Sequence, residues 1–67
     1  MDAMEAEILA DLARADALAD ELPRDALILV LEWTVQAQDF CEEGRFAAAR
    51  IFADQVLRAV GLDTVEA

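Results

Sequence analysis

Apolar positions recur along this chain at steps of three and four, the spacing that gathers side chains on one face of an α-helix. Ile8, Leu12, Ala15, Ala19 and Leu22 follow that step, with Met4 on the same face, and predict a first helix over about 3–21. Asp2 stands where a cap is needed, and Glu5 three residues later repeats the capping-box spacing. A second helix is expected over about 23–43, because Pro23 has the fixed φ that suits the first helical position. Its main apolar face reads Ala26, Leu29, Val30, Trp33, Ala37, Phe40 and Cys41, across from a polar stripe of Asp25, Glu32, Gln36, Asp39 and Glu43. Ile28, Leu31 and Val35 fall outside that face and form a second apolar patch at i, i+3 and i+7. A helix that is apolar over most of its circumference must be covered on more than one side.

Gly44 and Gly61 stand where helices should stop, since glycine adopts positive φ without steric cost. Between them a third helix is expected over about 45–60, with Phe46, Ala49, Ala53, Val56, Leu57 and Val60 on one face and Phe52 at its edge. Arg50, Asp54 and Arg58 step by four along the outer face as an ion-pair ladder. Leu62 is placed to pack back on the last turn, and residues 62–67 read as an acidic tail. No segment shows strand alternation. The expected fold is all-α: one domain over 1–67, a three-helix bundle whose second and third helices form a tight antiparallel hairpin with the first packed across it.

Composition narrows what such a bundle can do. With 67 residues, the chain buries only about 60% of the surface its unfolded form exposes, so its core is thin. Small domains usually gain stability from disulfides, a metal or a second chain. Cys41 is the only cysteine and there is no histidine, which removes an internal disulfide and argues against a zinc site. Oligomerisation or a larger partner is left as the source of extra buried area.

The chain has no His, Lys, Tyr, Ser or Asn, so the usual general bases and nucleophiles are missing apart from carboxylates, two threonines and Cys41. No enzymatic activity and no cofactor are expected. The five basic residues are all arginine, and fifteen carboxylates bring the net charge to −10. Phosphate backbones and anionic lipid heads would be repelled overall, so no direct nucleic-acid or membrane contact is expected. The longest apolar run, Ala26 to Leu31, is six residues against the roughly 20 that span a bilayer. With an acidic N-terminus in place of a basic signal, the expected location is cytoplasmic.

Cys41 lies near the end of the second helix beside Glu42 and Glu43, an environment that raises a thiol pKa, and it reads as buried filler. On the first helix, Asp2, Glu5, Asp16 and Asp20 form one acidic flank, with Glu7, Asp11 and Glu21 on the other. The carboxylates point outward by phase, as a solvated rim does and as an inward-facing metal cluster does not.

The run Trp33…Ala37…Phe40…Gly44-Arg45-Phe46…Ala49 resembles one tetratricopeptide unit, over Leu31 to about Val60. That family places an aromatic early in its first helix, a small residue four later, an aromatic three later, a glycine turn, a further aromatic and an alanine. The sequence departs from the pattern at Ala53, where a larger residue is usual, and at Gly61, near a usual proline. The segment from Phe40 to Ala49 is also similar to the central hairpin of HEPN-type domains; their RNase members use a histidine that this chain lacks. The tetratricopeptide resemblance implies a scaffold for protein contacts, with Trp33, Ala37, Phe40, Gly44, Phe46 and Ala49 forming the hairpin core.

Together these features point to a small acidic protein-interaction module, such as an accessory subunit, adaptor or chaperone-like partner. It would bind through Ile28, Leu31 and Val35 to another protein with a basic surface, as a homodimer or hetero-oligomer, with the acidic rim steering the approach. Two other readings stay open: a nucleic-acid-mimicking inhibitor of the anti-CRISPR or anti-restriction kind, and a structural homodimer.

Overall fold

Asp2 caps the first helix as the sequence suggests: its carboxylate accepts the N–H of Met4 at 2.8 Å and holds extended backbone angles. In the computed structural model, which describes residues 2–62, three helices follow: α1 over Ala3–Ala19, α2 over Arg24–Glu42 and α3 over Phe46–Ala59. No strand occurs among the described residues. Each helix is shorter than the periodicity suggests. α1 ends without a glycine: the N–H groups of Glu21 and Leu22 turn back to the carbonyls of Leu18 and Ala19 at 3.2 and 3.0 Å. Pro23 then stands before α2 as its cap, with ψ 155°, and is not the first helical residue. The expected tail lies outside the described residues, apart from Leu62.

Both glycines close their helices by the same hydrogen-bond pattern. After α2, the N–H of Gly44 donates to the carbonyl of Cys41 (3.0 Å) and that of Arg45 to Phe40 (2.8 Å). After α3, Gly61 donates to Arg58 (3.2 Å) and Leu62 to Leu57 (2.8 Å). These are Schellman closures, which need positive φ at the glycine, and the two values are 77° and 83°. A hydrophobic contact usually seals such a closure. After α3 Leu62 provides it by packing on the core. After α2 the guanidinium of Arg45 lies over the Phe40 ring instead, 4.9 Å from its centroid. A Cβ on Gly44 would meet no atom within 4 Å, so Gly44→Ala isolates the backbone term. It should lower stability by about 1–2 kcal/mol in urea melts; a loss under about 0.3 kcal/mol would show that the turn relaxes.

α2 and α3 form the tight antiparallel hairpin and share the most extensive contact, while α1 leans more on α3 than on α2. The buried core draws Ile8, Leu12, Ala15 and Ala19 from α1, Val30, Ala37 and Cys41 from α2, and Ala49, Ala53, Val56 and Leu57 from α3. More than half of these are alanine or cysteine. The helices therefore approach closely, but only Ile8, Val30 and Val56 are large side chains that are fully buried. The other alanines of α1, such as Ala6, Ala10, Ala13 and Ala17, are exposed; there they serve helix propensity and bury nothing.

The expected hairpin core divides into two parts. Ala37 and Ala49 are fully buried, whereas Trp33, Phe40 and Phe46 are half-buried and close the core from its edge. Phe40 stacks on Phe52 with ring centroids 5.7 Å apart, which joins the two helices near their turn. Gly44 itself is exposed in the turn.

Candidate functional site

The face of α2 that meets the core is set by Val30, Ala37 and Cys41, with Leu27 packed beside them. Two expectations change with it. Leu29, expected on the main apolar face, is 46% exposed, and Leu27, outside that expected face, packs against the core. Leu27, Val30, Thr34, Ala37 and Cys41 recur at three and four; Thr34 hides that row from a purely apolar count. Met4 of α1, expected on the core face, is likewise half-exposed. It lies in the first turn, beyond the reach of the core.

The rotation leaves a contiguous apolar surface on α2. Ile28, Leu31 and Val35 are exposed by 46, 49 and 53%, with Leu29 beside them. Neither α1 nor α3 covers them, because α1 lies against the opposite edge, where its Leu9, Leu12, Ala13 and Asp16 line a cleft with Thr34 and Gln38. On the α3 side the surface dips into a shallow trough of about 810 Å³ lined by Leu31, Glu32, Trp33, Val35, Gln36 and Phe52. Trp33 thus serves two surfaces at once: it packs against the core and lines the trough. Isolated exposed apolar residues are ordinary; several adjacent ones on one helix are not. Ile51 on α3 is also exposed, but it lines none of this surface.

The acidic rim is less uniform than its sequence suggests. Asp2 is committed to its cap. Asp16 and Asp20 are exposed, and Glu5 is half-buried. Glu7 and Asp11 face α3, where Arg50 reaches Asp11 at 2.9 Å and Glu7 at 3.5 Å while holding Asp54 at 2.9 Å. Arg14 adds a looser contact to Asp11 at 3.6 Å. Arg50 was expected only as a rung of an outer ladder within α3. It keeps that rung with Asp54 and in addition clamps across to α1, with side-chain exposures of 23% for Arg50 and 18% for Asp11. Periodicity along a single helix cannot reveal a partner on another. Burial works to lower the Arg50 pKa, but the hydrogen bonds and charges of Asp11 and Asp54 outweigh it and raise it overall. The guanidinium therefore stays charged at every accessible pH.

Cys41 is buried. Burial first, and then the charge of Glu5 at the start of α1, push its thiol pKa up, which disfavours the nucleophilic thiolate. Among the described residues no group of side chains is arranged to hold a metal ion. No helix there is long and apolar enough to cross a membrane. Against protein-family models, curated proteins and solved structures, the chain finds no match. A tight hairpin with a glycine turn, the feature shared by both resemblances, is present in α2 and α3.

Proposed function

We propose that this protein is a small interaction module that docks another protein on the exposed apolar face of α2 and catalyses no reaction. One observation carries the reading: Ile28, Leu29, Leu31 and Val35 stand about half-exposed side by side on a helix whose opposite face already completes the core. Burying such side chains stabilises an association by roughly 25 cal/mol per Å² of apolar area removed from water. The net charge of −10 keeps the unbound chain soluble and favours a partner with a basic surface. The clamp on Arg50 lends no support to nucleic-acid mimicry, because two of the carboxylates that would imitate phosphates, Glu7 and Asp11, are already paired within the chain.

Leu31→Asp tests the reading. Leu31 is half-exposed, so the variant should keep its helical circular dichroism and melt within about 0.5 kcal/mol of the parent. It should also lose a partner that cross-linking captures on the parent chain, while Ile51→Asp, at a still more exposed site that does not line the trough, keeps it. Retention of the same partner by Leu31→Asp would refute docking at α2.

A further inference from the structure

The exposed strip of α2 follows a heptad. Ile28, Leu31 and Val35 step by three and four, as the a and d positions of a two-helix seam do. Arg24 and Gln38 occupy the flanking d positions and mark its ends. In this register the e positions are Asp25, Glu32 and Asp39, all carboxylates and all exposed. The g positions are Leu27, Thr34 and Cys41, turned inward, with Thr34 and Gln38 facing α1 across their cleft. The seam therefore has one free edge, and that edge carries a negative charge every seven residues.

We infer that the occupant of this seam is a basic amphipathic helix from another protein, laid along α2 as a fourth helix, with Lys or Arg at seven-residue spacing against Asp25, Glu32 and Asp39. The inference rests on the reading of α2 as the docking face and adds the chemistry of the partner. Asp25 to Asp39 spans about 21 Å at 1.5 Å per residue, so the matching helix is about four turns long. Its large apolar side chains cover Ile28, Leu31 and Val35, and one of them enters the trough floored by Trp33 and Phe52. A second copy of this chain fits poorly in either direction. Antiparallel pairing sets e against e and brings carboxylate onto carboxylate; parallel pairing sets e against g, and the g edge is taken up inside the bundle. Asp16 of α1, exposed beside the cleft with Gln38, adds a carboxylate on that side, which repels a second copy's acidic edge.

Two synthetic helices of about three heptads test this, both with leucine at a and d, one with lysine and the other with glutamate at e and g. The lysine helix should bind the full chain at least about tenfold more tightly than its glutamate twin, since three opposite-charge pairs take the place of three like-charge contacts. Reversing Asp25, Glu32 and Asp39 together to lysine should transfer the preference to the glutamate helix. Leu31→Asp should weaken lysine-helix binding about tenfold although it makes the chain more acidic, which separates seam docking from bulk charge attraction. Equal binding of both helices overturns the basic-partner inference and leaves apolar docking at α2 standing. So does sedimentation of the parent chain as a dimer that Leu31→Asp dissociates, because the occupant is then a second copy. Failure of both helices to bind a monomeric chain overturns the inference, and the docking face falls with it only if the captured partner also survives Leu31→Asp.

Discussion

Ile8→Ala is expected to cost about 2–5 kcal/mol, a large share of the stability of the bundle. Ile8 is 0% exposed and is one of three large side chains fully sealed in the core. Several of its companions in that core are alanines, which cannot swing inward to fill the space, so most of the cavity should persist. For 67 residues, total stability should be roughly 3–10 kcal/mol. Urea unfolding followed by circular dichroism should show either a much lower midpoint or a chain already unfolded in buffer. Met4→Ala, at a half-exposed site on the same helix, should stay within about 0.5 kcal/mol of the parent. A loss under about 1 kcal/mol for Ile8→Ala would mean that the three helices do not close around it.

Ala37→Leu is expected to be the second most damaging change, by the opposite cause. Ala37 is 0% exposed on the core face of α2, and Ala49 and Ala53 are equally sealed on α3. Small residues on both helices let their backbones approach, and three added carbons have nowhere to go without forcing the hairpin apart. Overpacking of this kind costs about 1–3 kcal/mol, and each kcal/mol lowers Tm by roughly 4–8 °C in a domain of this size. Ala17→Leu provides the contrast, because Ala17 is exposed on α1 and leucine is nearly as good a helix former as alanine. A variant at Ala37 that melts with the parent would show spare room between α2 and α3. Spare room there would remove the reason Trp33 and Phe40 lie at the edge of the core rather than in its centre.

Much of this architecture is legible in the chain before any coordinates. Asp2, Pro23, Gly44 and Gly61 mark helix ends because caps, a fixed φ and positive φ are local demands, met by one residue and its immediate neighbours. The inward rows of α1 and α3 are equally plain, since each presents one apolar stripe that can meet only one core. The exposure of Ile28, Leu31 and Val35 also follows from arithmetic: two neighbouring helices cannot cover a third that is apolar nearly all round.

What the linear pattern left open was direction and partnership. On α2 apolar residues lie on most sides of the helix, and it is contact with α1 and α3 that turns Leu27 in and Leu29 out. The rung from Arg50 to Asp54 is legible within α3, but only the approach of α1 to α3 adds the clamp onto Asp11. Helix positions and ends are set by interactions a few residues long, which the order of residues specifies. Which face turns inward, and which charges meet, depends on the relative placement of whole helices, and that is settled only when all three pack together.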